Sequence, residues 1–428
     1  MRGNARPMPV GLEVLLVLWV ATLPTDRVDL LGGMAGFILT PYLALTPLVL
    51  LLLGFRMLAR RDDLEFPANA RPFAVSLLAL VSVLLVSSLL ALDPALSLRR
   101  VVHFLAVSGG ASVVALVLVS EERAGRVLAR GAELGLALML VFAVLGIVAL
   151  LFSDTFLLRI GPATLSLEPS TYGGIIPRFT GSVVDPNRTG MAVLFFLFCL
   201  AEFGRPGLRR RIWLGAGVLM ALLTLSRSTL GAGAGLLVTA WMLRGSLRIT
   251  RGQLGSALVA LVIGAGGLLA LPEINEAVWE SLEPLGDRFS LSERSTQDHF
   301  HLIARGVEEH TATLKRAVIG IGYGNAHLTL QDMFPGNKYG NFHSAYVTLL
   351  VEGGVFAFLI FLLILAYPLV RPGPFTPMVV ALVAFNLFYQ AFNGPVLWLV
   401  CMLAWTARGA TTIRPRDPGQ DLHPTPQP

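Results

Sequence analysis

The residues of this chain that could do chemistry fall in a few short stretches. In KYGNFHSAYVTLLVEGG (338–354), His343 and Ser344 stand where a long polar segment meets a hydrophobic run. Nine positions beyond His343, Glu352, Gly353 and Gly354 interrupt that run. An imidazole titrates near neutral pH and can exchange a proton there, but a lone histidine at a helix mouth is as readily an interfacial residue. A carboxylate inside an apolar run is costly and marks a functional candidate, or else a charge satisfied by an Arg or Ser of a neighbouring helix. On a straight helix Glu352 lies roughly 13 Å below His343, too deep to share its proton. It is therefore expected to support the fold or a lipid cavity, with Gly353 and Gly354 allowing close helix packing. In RFTGSVVDPNRTG (178–190), Arg178 and Arg188 flank a turn whose Asp185 or Asn187, beside Pro186, suits a helix cap. The glycines of GIGYGN (320–325) are spaced like a phosphate loop. No strand, Lys or Ser/Thr follows, so a nucleotide site is excluded and a close-approach backbone is expected.

The elements that must position these residues are membrane helices. The chain has 428 residues, 54% hydrophobic and 14% charged, with a mean hydropathy of +0.70. A soluble protein of this size could not bury so much apolar side chain, and the reading is a polytopic all-α membrane protein. About twelve spans are expected: 10–24, 28–58 (bent at Pro41), 71–91, 99–119, 129–152, 188–203, 212–226, 228–243, 254–271, 344–370, 374–391 and 394–407. No small-residue cleavage site follows the first run, so Val10 to Leu23 reads as a retained helix. Alternate connections carry Arg56, Arg60, Arg61 and Arg71, then Arg123, Arg126 and Arg130, then Arg205, Arg209, Arg210 and Arg211. Arg244, Arg248 and Arg251, then Arg371, then the tail Arg408, Arg414 and Arg416 continue the series. Such basic loops place both termini in the cytoplasm.

The domain plan is thus spans over 1–271 with a smaller outer loop at 153–187, a large outer loop at 272–343, spans over 344–407, and a disordered tail at 408–428. The large loop holds short helices, including an amphipathic one from His299 to Val318 near the membrane surface. Cys199 and Cys401 lie in apolar runs and suggest neither disulfide nor metal site. The net charge of +6 reflects topology and an anionic ligand, and no nucleic acid.

Twelve basic residues break the inside rule, among them Arg99, Arg100, Arg159, Arg178, Arg188, Arg227, Arg288, Arg294, Arg305, Lys315, Arg316 and Lys338. Each either snorkels to lipid phosphates or helps bind an anion. Arginines converging from different loops would suit a diphosphate, whose oxygens a guanidinium meets bidentately.

Four segments, in order, resemble the O-antigen ligase and polymerase superfamily of bacterial inner-membrane glycosyltransferases. RFTGSVVDPN (178–187) resembles its Arg-x-x-Gly turn, and LTLSRS (223–228) its Ser-Arg element. ARGVEEHTATLKRAVIGIGYGN (304–325) resembles its Arg helix leading into spaced glycines, and HSAYVTLLVEGG (343–354) the His-Ser-x9-Gly signature of ligases. The chain departs from the pattern at Ala317-Val318-Ile319, where members commonly place a Pro, so a helix stop would be lacking there. The resemblance implies a GT-C-like fold and a metal-independent, inverting transfer at the periplasmic face of the inner membrane, without cofactor or nucleotide. It implies an undecaprenyl-diphosphate-linked glycan donor and a sugar hydroxyl of the lipid A core as acceptor. His343 would be the general base, and Arg178, Arg188, Arg288 and Arg305 would bind the diphosphate. Arg227, Tyr323, Asn341, Ser344 and Glu352 would support them. A polymerase using a lipid-linked acceptor is the nearest alternative. A secondary transporter with Glu352 as coupling carboxylate is another, against which stands the lack of an internal repeat.

Overall fold

The computed structural model describes residues 9–32, 38–60, 67–121, 123–152, 156–168, 170–172, 176–244, 294–336 and 340–407. The expected span 254–271, Arg288 and the tail 408–428 lie outside them. The described chain is mostly helical. Its helices are α1 (Val10–Thr22), α2 (Pro41–Arg60), α3 (Ala70–Leu89), α4 (Pro94–Val119), α5 (Ala124–Phe152), α6 (Pro186–Phe203), α7 (Leu208–Leu223) and α8 (Arg227–Arg244). They continue with α9 (Arg294–Thr311), α10 (Leu314–Ile319), α11 (Ala345–Val370), α12 (Thr376–Phe388) and α13 (Pro395–Thr406), and a 3-10 turn covers Ala326–Leu330.

Among the described residues four helices are long and apolar enough to cross a bilayer: α3, α4, the Ala124–Ala149 part of α5, and α11. Along α3, Val75, Leu78, Val86 and Leu89 point away from the protein. So wide an apolar surface is stable facing lipid and not water. The shorter apolar helices α1, α12 and α13 sit against this frame. All twelve residues of α13 are buried, which makes it the central post of the bundle. It packs chiefly on α4, while α11 packs on α3, α12 on α8, and α5 on both α1 and α6.

Helix starts follow their caps. Asp93 accepts the Leu96 amide at 3.0 Å with Pro94 at the first helical position, and Asp185 with Pro186 repeats the device at α6. The α4 start therefore lies five residues before the expected 99, and Arg99 and Arg100 fall in its second turn. The expected span 28–58 is not one helix: Val28–Asp29 is a strand, and the helix begins at Pro41. The amphipathic helix expected over 299–318 is two helices, α9 and α10, the second capped by Thr313.

The all-α expectation did not provide for strands, yet among the described residues the smaller outer loop carries four of the five short strands. In one sheet the central β3 (Ala163–Ser166) pairs antiparallel with β2 (Leu157–Ile160) and with β1 (Val28–Asp29), in register Val28↔Leu165. In the other, β4 (Ser170–Tyr172) pairs with β5 (Ile176–Arg178). Arg27 ties the first sheet to the turn before α6. Its guanidinium donates to the carbonyls of Val183, Ser166 and Glu168 and to the Thr180 hydroxyl, at 2.6–3.1 Å.

Candidate functional site

A cavity of about 580 Å³ opens between α4, α6, the end of α12 and the glycine loop that follows α10. Two guanidinium groups face it. Arg188, in the first turn of α6, is held by Asp26, with Nη1 and Oδ2 at 2.7 Å. The other Asp26 oxygen accepts the Val184 amide at 2.8 Å, so one carboxylate fixes both the turn and the direction of the arginine. Arg100 lines the cavity from α4 and makes no hydrogen bond or ion pair with the described residues. His103, one turn along α4 from Arg100, shares the same lining face.

Tyr389, just past α12, closes the side nearest His343. Its hydroxyl is within hydrogen-bonding reach of Asp185, and burial followed by the Asp185 charge raises its pKa well above the ordinary value. The Tyr389 carbonyl accepts the Ala345 amide at 3.0 Å, which docks the end of α12 on the start of α11.

His343 adjoins the cavity through Asn341 and Tyr389, both of which line it, and does not line it itself. Its backbone is left-handed, φ 50°, and its amide donates to Asn341 Oδ1 at 2.8 Å. A non-glycine residue in that region carries strain held by its surroundings. The ring stacks on His299 of α9 with centroids 4.3 Å apart and meets the Tyr389 ring edge-on at 6.5 Å. Its Nδ1 is buried without a hydrogen-bond partner among the described residues. Burial lowers its pKa below the ordinary histidine value, opposed in part by the negative charge of Asp185. The imidazole is therefore favoured in its neutral form.

The other residues singled out by sequence are divided. Arg188, Tyr323, Asn341 and Glu352 line the cavity. Tyr323 is buried in the glycine loop, its hydroxyl donating to Asn393 and its ring packed on Phe104 and Phe392. Glu352 accepts the Ala326 amide at 2.9 Å and shares no contact with His343. Ser344 caps α11 and donates weakly to the Asn386 carbonyl. Arg178 and Arg305 do not reach the cavity. Arg178 Nε donates to the Thr224 carbonyl at 2.9 Å, clasping β5 to the end of α7. Arg305 bridges Glu309 at 3.1 Å and Asp332 at 3.5 Å, within a cluster that includes Arg316. Arg227 begins α8, next to Ser226, whose hydroxyl donates to Asn187.

Arg100, His103, Asp26 and Tyr389 are among the lining residues that sequence did not assign to the site, although Arg100 stood among the outer basic residues considered for anion binding. Arg100 and His103, three residues apart, share one face of the expected helix 99–119 as well as of α4, but spacing does not say that this face meets the cavity. Nothing local marks Asp26 or Tyr389. Among the described residues no group of three His, Cys, Asp or Glu comes together to hold a metal ion. Chemically the arrangement offers an anion two guanidiniums, with a neutral base beside them. Arg100 has no carboxylate in ion-pair contact among the described residues, whereas Arg188 is paired with Asp26. No protein-family model and no curated protein matches this chain.

Proposed function

We propose that this chain is a membrane-embedded, inverting glycosyltransferase of the O-antigen ligase type. Its donor is a glycan on undecaprenyl diphosphate, and its acceptor is a sugar hydroxyl of the lipid A core. The observation that carries the reading is the pair of guanidiniums, Arg100 and Arg188, facing one cavity next to a neutral, unpartnered imidazole. In the reaction the acceptor oxygen attacks the anomeric carbon as its proton passes to His343. The bond from that carbon to the phosphate oxygen breaks, and the electron pair leaves on the diphosphate. Guanidiniums fixed in place stabilise the charge as it develops, and a base of lowered pKa is neutral at the pH of the reaction. The diphosphate leaving group needs no nucleotide, which fits a site on the periplasmic face under a twelve-span topology.

The transporter reading draws on a feature of α11, which is broken at Gly354 beside Glu352. The carbonyls freed there, Val351 and Glu352, already accept Ile321, Gly322 and Ser87. They are not open to a coupling ion.

His343→Asn tests the reaction directly, because asparagine tolerates the left-handed backbone that His343 adopts. With purified protein, a lipid-linked donor and a lipid A-core acceptor, transfer should fall on the order of 100-fold or more while membrane insertion stays normal. Near-wild-type transfer by this variant would sink the general-base assignment.

A further inference from the structure

We propose that Glu352 and the glycine loop 320–325 are the positioning apparatus of Arg100, setting its guanidinium against the cavity as one jaw of a diphosphate site. The inference rests on the reading of Arg100 as an anion ligand.

The chain of contacts starts inside α11. Gly354 leaves helical geometry with φ 71°, a conformation that favours glycine, and the helix opens above it. The Val351 carbonyl then accepts Ile321 N–H and the Glu352 carbonyl accepts Gly322 N–H, each at 3.0 Å. Ser87 of α3 adds a 2.6 Å bond to the same Glu352 carbonyl. The Glu352 carboxylate takes the amide of Ala326 at 2.9 Å and that of Gly324. These bonds all run to loop backbone, so the side chain sets the path of the loop.

Across the loop, α4 supplies the second set of anchors. Ser97 Oγ donates to the Tyr323 carbonyl at 2.8 Å, and the Asp93 amide donates to Asn325 Oδ1 at 2.8 Å. Between these anchors Gly324 passes under Arg100. A Cβ at Gly324 would lie 2.7 Å from Arg100 Cγ and 3.2 Å from its Cβ. Glycine here both permits the left-handed backbone, φ 82°, and leaves the seat on which the arginine stem rests. The Arg100 head makes no hydrogen bond or ion pair with the described residues, so the stem's packing on this seat, together with the Coulombic pull of the Glu352 carboxylate, sets where the charge points. Glu352 acts on the anion site through Arg100, by way of the loop and by that charge.

The test is titration of the purified full-length chain with inorganic diphosphate, followed by calorimetry, with thermal unfolding of each variant as a control. Gly324→Ala should weaken binding about tenfold, and by less than about twofold in an Arg100→Ala background, as coupling through one residue requires. Glu352→Ala should also weaken it about tenfold. Glu352→Gln keeps an acceptor oxygen for the loop amides and should bring binding to within about threefold of wild type. Equal losses from Gly324→Ala in both backgrounds would overturn the inference, as would a Glu352→Gln variant as weak as Glu352→Ala. Should Gly324→Ala unfold, the two Glu352 variants in the Arg100→Ala background carry the same comparison. Absent binding by wild type, or binding indifferent to Arg100→Ala, would instead overturn the anion reading beneath it.

Discussion

His343 draws its character from neighbours that sequence does not place beside it. Burial disfavours the imidazolium, while the Asp185 carboxylate favours it. Burial is the larger influence, so the proton leaves at a pH below the ordinary histidine value of 6.5. A general base works in its neutral form, and the acid limb of kcat/KM should therefore lie below pH 6.5. Asp185→Asn removes the one opposing charge and still caps α6, since asparagine caps as well as aspartate does. It should move that limb to lower pH and slow the reaction, because the imidazolium formed in the transition state loses its counter-charge. A limb moved to higher pH in profiles of the two proteins would contradict the electrostatic link.

At the scale of elements, the site depends on a turn that is fastened from outside the helices. Residues 180–185 lead into α6 and deliver Asp185 and Arg188, and Arg27 holds them to β3 with four donated bonds. The pKa of Arg27 itself is lowered by burial, against the pull of Asp26 and Glu168, as expected for a buried cation bound by carbonyls. Arg27→Leu keeps the apolar stem and strands those acceptors, each unmade bond costing about 1–3 kcal/mol. The apparent Tm of detergent-purified protein should drop by on the order of 5 °C. An unchanged Tm would mean that the sheet does not fasten the turn. The same scale explains α11: two glycines allow the close approach foreseen for them, and Gly354 in addition breaks the helix.

For the molecule as a whole, the arrangement proposed here puts the cavity on the outer side of the membrane. Gln390 lines that cavity and is half-buried, whereas both native cysteines are buried, with 0% exposure. Gln390→Cys should therefore react with a membrane-impermeant thiol reagent added to spheroplasts, without any need to remove Cys199 or Cys401. Labelling confined to inside-out vesicles would reverse the topology and, with it, the supply of periplasmic substrates.

Composition alone determined that the chain is a helical membrane protein, because apolar content on this scale has no stable place but lipid. Local sequence also pointed to a cap at Asp185 or Asn187 beside Pro186, since a cap is a contact within one helical turn. It is Asp185 that caps α6, which starts at Pro186, two residues ahead of the expected 188. The same logic at Asp93-Pro94 would have set the start of α4 correctly. Of the outer-loop pairings, only that of Val28 with Leu165 was hidden by distance along the chain; β2 with β3 and β4 with β5 pair locally. Which arginines share the cavity was likewise decided only by tertiary structure. Arg178 and Arg305 sit in motifs as suggestive as that of Arg188, but one is spent on a carbonyl at the end of α7 and the other on acidic neighbours of α9. A guanidinium serves whichever partner packing brings within reach, and sequence spacing carries no record of that partner.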